Sequence, residues 1–444
     1  MKPYYETDSG KLYAGDVSDV LDTLPEKSVN MCITSPPYWA LRDYGTATWK
    51  GGDENCDHQI GRNTRGGLSN NQKGNKGSFG DESVKNGECC PKCGAKRIDK
   101  QLGLEPTFDE YINRLCDIFD GVKRVLRDDG TCWVNIGDTY WGSGAGTQYE
   151  PKTENAKEVY TIPYYSHKNT QRNKDANYKS KCLVQIPHRF AIEMTNRGWI
   201  LRNTIIWHKP NCMPSSIKDR FTVDFEYMFF FSKKKKYYFE QQFDNLKHPE
   251  AKGMKFGGDK AKGYGNPIYS GNKYNANNLT GRNKRTVWTI PTKPFSEAHF
   301  AVFPEELITT PIKAGCPQEV CKKCGKPKEL VKVDTGKRRK VENYTGEATK
   351  DYDNAKAQNP SDTKRRILES QRIIYETKLE KQCDCNAGFE KGTVLDIFMG
   401  AGTTGLVAEK MNRNWVGIDL NKEYCDIAIK RIDNEREQLK LEFL

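Results

Sequence analysis

The last fifty or so residues carry the pattern that most restricts what this chain can become. An apolar run from Thr393 to Phe398 breaks into Gly400-Ala401-Gly402-Thr403-Thr404-Gly405. Helical text then runs to about Met411, Trp415 to Ile418 reads as strand, and Asp419 precedes a closing helix. A strand that turns through glycines into a helix and returns to a strand is a βαβ unit, and such units build parallel sheets covered by helices. The fold class expected is therefore α/β. The spacing is G-x-G-x-x-G, in which glycines let backbone approach a ligand closely, and Asp419 stands at a suitable distance to bond ribose hydroxyls. That fingerprint serves nicotinamide dinucleotides, flavins and other adenosine-bearing cofactors alike. Two details turn against a dinucleotide and hence a nicotinamide oxidoreductase. A single helix follows Asp419, so the second mononucleotide half is missing downstream, and Asp396 ends the first strand where its carboxylate would repel a pyrophosphate. A carboxylate there suits an ammonium group instead.

A second buried strand, Val29 to Thr34, is stopped by Ser35-Pro36-Pro37-Tyr38. Prolines fix the turn and lack N–H groups, so it offers acceptors, the Ser35 hydroxyl and the Pro36 carbonyl. Two fixed oxygens suit the hydrogens of an exocyclic amine and would draw its nitrogen toward a nucleophilic geometry, while Tyr38 can stack on the ring that carries it. Taken alone, the same four residues also fit a simple strand-ending turn.

Between these two motifs the periodicity changes several times. Phe108, Tyr111, Ile112, Leu115, Ile118, Phe119, Val122, Val125 and Leu126 recur at helical spacing, Asp128-Asp129-Gly130 stops that helix, and Thr131 to Ile136 reads as a strand. Residues 141–181 are polar and read as a mobile loop. Pro187 opens a short helix closed by Gly198, and Trp199 to His208 is strand-like. Glu226 to Phe239, apolar on both sides of Lys233-Lys234-Lys235-Lys236, predicts a hairpin with the lysines at its tip. Residues 253–285 mix Lys, Arg, Tyr, Asn and Gly with few aliphatic side chains. That composition suits phosphates meeting cations and bases meeting aromatic faces, or else a solvated loop. Residues 336–381 form another charged insertion, expected to be helical from Asp362 to Glu380.

Fifteen cysteines occur. Cys32, Cys116, Cys132, Cys182, Cys212, Cys316 and Cys425 are isolated, and several sit in apolar runs as small hydrophobes. The others cluster. Cys90-Pro-Lys-Cys93-Gly94 and Cys321-Lys-Lys-Cys324-Gly325 are near copies of one turn, each able to aim two thiolates at one ion. Tetrahedral zinc needs two further ligands at each. Cys56-x-His58 lies upstream of the first turn and Cys383-x-Cys385 downstream of the second, with Cys89 as an alternative ligand. Two structural zinc ions are expected, since four protein ligands leave no open position for water. Unmetallated cysteines are the plainer alternative.

No run of about 18 apolar residues is present, which speaks against a transmembrane helix, and the first residues lack the apolar core of a secretory signal. A cytoplasmic protein is expected. The net charge is +12. Residues 233–293 carry 14 basic and 4 acidic side chains, residues 321–382 carry 17 and 10, and residues 46–101 carry 10 and 7. Those three segments exceed the whole net charge, which leaves the remainder mildly acidic. A polyanion is the partner such insertions suit.

The turn Thr34-Ser35-Pro36-Pro37-Tyr38-Trp39 and the loop Leu395-Asp396-Ile397-Phe398-Met399-Gly400-Ala401-Gly402-Thr403-Thr404 together resemble the amino-methyltransferases of DNA, in the permuted β class whose catalytic turn precedes the cofactor loop. Leu12 to Asp16, Asp109 to Asp138, Ile205 to Pro210 and His299 to Pro304 extend the resemblance over most of the chain outside the insertions. It implies a Rossmann-like fold with a seven-stranded, mostly parallel sheet. It also implies S-adenosylmethionine as cofactor, bound by Asp16, Phe303, Pro304, Asp396, Phe398, Gly400, Gly402, Thr403, Asp419 and Asn421. Ser35, Pro36, Pro37 and Tyr38 would hold the target amine of a flipped base for direct transfer. Carbon-5 methylation needs a cysteine nucleophile, and Gly315-Cys316-Pro317-Gln318 echoes that motif only loosely. A serine at the first position leans toward cytosine N4, aspartate or asparagine toward adenine N6. Ile397 departs from the usual proline of the cofactor loop. Double-stranded DNA is the partner implied; a homodimer and a cognate restriction enzyme stay open as partners.

The expected division is a catalytic first part at 1–45, a zinc-binding insertion at 46–101 and a catalytic continuation at 102–232. A basic target-recognition region at 233–293, a cofactor-site segment at 294–320, a second zinc-binding insertion at 321–385 and the cofactor-binding βαβ at 386–444 follow. Rival readings are a methyltransferase acting on an RNA base or a protein amide, whose relatives generally run cofactor loop first, and a non-catalytic zinc-dependent nucleic-acid-binding protein.

Overall fold

A computed structural model describes residues 1–39, 46–58, 89–141, 178–244, 282–293, 302–338 and 373–442. The chain divides into two compact units, one from Met1–Tyr237, Val287–Cys316 and Thr393–Leu444, the other from Tyr238–Thr286 and Pro317–Gly392. The first unit opens with β1 (Tyr5–Glu6), β2 (Gly10–Ala14), α1 (Val17–Thr23) and β3 (Val29–Thr34). A small ribbon of β4 (Thr48–Lys50) and β5 (Lys96–Ile98) follows, then α2 (Phe108–Val125), β6 (Leu126–Ile136), α3 (Ile186–Asn196), β7 (Ile200–His208) and β8 (Phe225–Ser232). β9 (Phe243–Asp244) and β10 (Arg282–Asn283) belong to the second unit, β11 (Val287–Thr289) and α4 (Glu305–Gly315) to the first. The second unit resumes with β12 (Glu319–Cys321), β13 (Glu329–Arg338), β14 (Ile373–Glu380) and β15 (Phe389–Lys391). β16 (Thr393–Asp396), α5 (Thr403–Lys410), β17 (Asn414–Asp419) and α6 (Lys422–Glu442) complete the first.

The first unit is built on a nine-stranded sheet in the order β1-β2-β17-β16-β3-β6-β8-β7-β11. Pairing is parallel from β2 through β17, β16 and β3 to β6, whereas β8 runs antiparallel to both β6 and β7. The expected seven strands are those from β2 to β7. Two short margins enlarge the count: β1 folds back on β2, and β11 lies parallel on the outer edge of β7. Helices cover both faces, as the α/β reading requires. Alternation along the strands divides the core. Cys32, Cys132, Val134, Phe229 and Phe231 pack with the buried residues of α1, α2 and α3, while Met31, Ile33, Trp133, Met228 and Phe230 pack with those of α4, α5 and α6.

α2 forms where its apolar period predicts. Thr107 caps it by accepting from the Glu110 N–H at 3.2 Å, Asp109 and Glu110 occupy its first turn and Lys123 and Arg124 its last, matching the helix dipole. It ends at Val125, and residues 126–130 already belong to β6 rather than to a helix stop. α3 carries Pro187 in its first turn, where the missing N–H costs nothing.

Two expectations are corrected. Glu226 to Phe239 is not a hairpin: both edges of β8 are taken by β6 and β7, so the lysine run leads out of the sheet instead of into a return strand. Within Asp362 to Glu380, residues 373–380 are strand β14, antiparallel to β13, and not helix; residues 362–372 lie outside the described residues. So do most of the loop expected at 141–181 and most of the basic stretch at 253–285. In the second unit β9 pairs with β10, β12 with β15 and β13 with β14. Among the described residues no helix is long and apolar enough to cross a membrane.

Candidate active site and cysteine clusters

β3 and β16 are neighbours, pairing Met31 with Val394 and Cys32 with Leu395, so the chain leaves both strands side by side at their carboxyl ends. That edge is where open α/β sheets bind ligands. A cavity of about 500 Å³ lies there. Ser35, Pro36, Pro37 and Tyr38 line it after β3; Phe398, Gly400, Thr403, Asp419 and Asn421 line it after β16 and β17; Asp16 and Phe303 complete the set from β2 and the approach to α4. The structure thus brings together both motifs, more than 350 residues apart in sequence, as the Thr34 contact with Asp396 shows at a separation of 362.

Three expected cofactor residues are absent from the wall. Asp396 is fully buried behind it. Thr34 Oγ1 donates to one carboxylate oxygen at 2.6 Å, Thr404 Oγ1 donates to the other, and the Phe398 N–H adds a third bond at 3.1 Å. Burial pushes this carboxyl's pKa up while those donors pull it down. Its side chain therefore ties β3, β16 and α5 together. Gly402 caps α5 at φ +79°, where a Cβ would stand 2.7 Å from that of Ala428, so the loop turns tightly against α6. Pro304 is buried at the start of α4.

Asp419 reaches the cavity. Its Oδ2 accepts from the Gly400 N–H at 2.7 Å and its Oδ1 from the Asn421 N–H at 2.8 Å, so one carboxylate holds the glycine loop against β17. Burial raises its pKa to about 6, partly offset by those backbone donors. Asp16 lines the wall and also caps α1, accepting from the Ser18 N–H at 3.0 Å.

The proline turn rests on a polar network that the sequence reading did not contain. Tyr38 Oη donates to Glu226 Oε2 at 2.7 Å. Asn135 Nδ2 donates to the same oxygen at 3.1 Å and to the Tyr227 carbonyl at 3.1 Å. With its amide so oriented, Asn135 turns Oδ1 toward Ser35, whose hydroxyl donates to it at 3.5 Å. Lys209 pairs with the other Glu226 oxygen. In this arrangement Ser35 can give its proton inward and keep its lone pairs for a ligand. Tyr111 Oη donates to the Pro37 carbonyl at 2.8 Å, and Gly137 lies so close that a Cβ would come within 2.6 Å of the Tyr38 ring. Burial, then the Glu226 charge, pushes the Tyr38 phenol well above its ordinary range, so it remains a donor. Asn135, Lys209 and Glu226 all line the cavity. Their signal was a polar residue inside an otherwise apolar strand: Asn135 in Trp133–Ile136 and Glu226 in Phe225–Ser232.

Both cysteine sets come together as paired in the sequence. The ligand atoms of Cys56, His58, Cys90 and Cys93 lie within 4.8 Å of one another, as do those of Cys321, Cys324, Cys383 and Cys385. Cys89 is not part of the first set; its backbone pairs with that of Lys96 in an isolated antiparallel bridge. The Cys56 and Cys90 sulfurs are 3.9 Å apart, and Cys93 Sγ is 3.2 Å from His58 Nδ1; sulfurs on a tetrahedral zinc with Zn–S about 2.3 Å stand about 3.8 Å apart. The two C-x-x-C turns share one backbone. Gly94 N–H donates to the Cys90 carbonyl at 2.8 Å and Gly325 N–H to that of Cys321 at 2.7 Å, each glycine at positive φ. In the second set, backbone N–H groups of Cys324 and Lys323 hold the Cys321 thiol down at about 6.

The chain matches the family model described as DNA methylase, N6_N4_Mtase, over residues 29–320 and 328–430. It is 30% identical to the Type II methyltransferase M.Cfr9I of Citrobacter freundii, across 97% of this chain and 90% of that protein. It is 29% identical to the Type II methyltransferase M.XycI of Xanthomonas campestris pv. cyanopsidis, across 96% and 89%. Among solved structures it is similar to PvuII DNA methyltransferase (cytosine-N4-specific), with 16% identity, a TM-score of 0.44, and coverage of 97% of this chain and 88% of that one. With its family match running across both motifs and most of the chain, the protein belongs to the N6/N4 DNA methylases, the amino-methyltransferases of DNA.

Proposed function

We propose that this protein is a site-specific methyltransferase that moves the methyl group of S-adenosylmethionine to the exocyclic amine of a base flipped from duplex DNA, cytosine N4 ahead of adenine N6. The observation that carries the proposal is the single cavity lined by both the Ser35–Tyr38 turn and the Gly400–Asp419 loop. About 500 Å³ falls within the range of cavities that enclose a cofactor-sized molecule. The donor set suits this cofactor: Asp419 and Asn421 for ribose hydroxyls, Phe398 and Phe303 for the flat adenine, and backbone at Gly400 for close approach. When bound, S-adenosylmethionine supplies a methyl group on a sulfonium, an electrophile that needs no further activation.

The chain's own residues prepare the nucleophile. The Pro36 carbonyl and the Ser35 hydroxyl oxygen accept the two amine hydrogens. Asn135, fixed by Glu226, keeps the Ser35 proton turned away. The Tyr38 ring, pinned by Gly137 and by its bond to Glu226, stacks on the base. Direct attack then needs only alignment, and the excess proton leaves from the product amine to solvent. The serine that opens the turn is the ground for preferring cytosine.

Two structural zinc ions, at Cys56/His58/Cys90/Cys93 and Cys321/Cys324/Cys383/Cys385, belong to the same proposal. Each would clip the two ends of an inserted segment together. Elemental analysis of chelator-free protein should find about two zinc ions per chain; metal-free protein with full activity would remove them. For the reaction, DNA incubated with protein and S-adenosylmethionine is read by long-read sequencing, which reports target base and site together. Tyr38→Ala should nearly abolish transfer while cofactor affinity, measured by calorimetry, stays within about threefold. Unchanged transfer in that variant would take the proline turn out of the mechanism.

A further inference from the structure

The segment joining β7 to β8 leaves the sheet at the cavity and returns to it there, since Lys209 before it and Glu226 after it both line the wall. It is held at several points. The Lys209 N–H donates to the Asp224 carbonyl at 2.7 Å, closing its neck. Asn211 exchanges hydrogen bonds with the backbone of Thr292, itself part of the cavity wall, at 2.9 Å each way. Asp219 pairs with Lys181 at 2.6 Å, and the Arg220 guanidinium lies 3.3 Å from the centre of the Tyr140 ring.

A connection tied down by so many polar contacts ordinarily turns its apolar side chains beneath it. This one does the opposite: Met213 is 88% and Phe221 96% exposed, with Ile217 and Val223 exposed in the same segment. Apolar groups exposed one after another along a short segment of tethered backbone mark a surface that meets a partner.

We propose that residues 211–223 are a wedge that enters the DNA beside the target, with Phe221 filling the gap left by the flipped base and Met213 packing against the neighbouring pair. The inference rests on the DNA-methylation reading. A base can enter the cavity only if the duplex lies across its mouth, and this segment is anchored at that mouth. The flipped base leaves an apolar, flat-walled space between two stacked neighbours, which a planar hydrocarbon ring matches and a hydrated side chain does not. Lys218, exposed in the same segment, adds a cation for the flanking phosphates.

The test uses Phe221→Ala and Met213→Ala in the full-length protein; both positions are exposed, and thermal melting checks that the fold is intact. The substrate is a duplex carrying the methylated site that sequencing identifies, with a fluorescent base analogue beside the target, and a second duplex in which the target is mispaired and already unstacked. Phe221→Ala should lose roughly tenfold or more in kcat/KM on the paired duplex, lose the fluorescence rise that reports flipping, and recover to within about twofold of the unaltered protein on the mispaired one. S-adenosylmethionine affinity should not move. Equal activity on both duplexes, an equal loss on both, or a change in self-association without a change in flipping would overturn the wedge. Absence of methyl transfer by the unaltered protein would instead remove the parent reading, and that outcome is visible before any variant is made.

Discussion

Asp419→Asn separates what the carboxylate costs the empty protein from what it contributes to binding. In the folded chain its pKa is raised from an ordinary 3.8 to about 6, with burial as the main cause. Between those two values the folded state holds the proton more tightly than the unfolded state, so stability falls as pH rises through that window, and above it a constant penalty remains. A shift of this size corresponds to at most about 3 kcal/mol, and partial access from the cavity reduces it. Asparagine has no charge to bury, but its single carbonyl oxygen can keep only one of the Gly400 and Asn421 N–H bonds well placed, a loss of about 1 kcal/mol. The informative quantity is the difference in unfolding free energy between variant and unaltered protein, in which every other titrating group cancels. It should shift in favour of the variant by about 1 kcal/mol between pH 5 and pH 7 and level off above that. Urea unfolding at four pH values measures it. Adding S-adenosylmethionine should reverse the ranking at neutral pH, because in the proposed binding mode its ribose hydroxyls donate to the carboxylate. A difference that stays flat from pH 5 to 7 would refute the reasoning, because the carboxyl would then be no harder to ionise folded than unfolded.

Glu226→Gln should lower kcat roughly 10- to 100-fold, the value of about 1.5–3 kcal/mol for hydrogen bonds to a charged acceptor, while leaving cofactor affinity within about twofold; single-turnover kinetics and calorimetry check the two halves. Gly10→Ala should destabilise the first unit by roughly 1–3 kcal/mol in chemical unfolding, because the new methyl would stand 1.9 Å from the buried Trp415 ring and force it out of place. A variant as stable as the parent would mean that β2 and β17 pack more loosely there than described.

Much of the fold could be read in the sequence because the decisive strands are short apolar runs cut off by glycine or proline. Val29–Thr34 and the βαβ around Gly400 are of that kind, and the period of α2 is unbroken over five turns. The misreadings share a cause: local text does not reveal partners. Four lysines after Ser232 imitate a hairpin tip, yet β8 is a central strand with no edge left to give. The charged text from 362 to 380 reads as helix although its apolar residues are too sparse for a core face, and Tyr375, Thr377 and Leu379 alternate with Glu376, Lys378 and Glu380 at a period of two, the strand signature. The motifs of the site were legible residue by residue; its network was not. Glu226 stands 188 residues from Tyr38 and 91 from Asn135, and only the sheet makes them neighbours.

The same sheet imposes an order of events when the chain is made. β3 is finished early, but one of its two flanking strands, β16, comes 362 residues later, counted from Thr34 to Asp396. At about 5–20 residues per second, a ribosome needs roughly 20–70 s to deliver it. During that interval β6, β8, β7 and α2 can assemble on one side while the other side of β3, a strand wholly buried in the finished fold, waits as an open edge, the sort that recruits stray strands. The proline turn therefore exists long before the loop that completes the cavity, and the pocket is whole only once β17 and Asn421 have followed β16 off the ribosome.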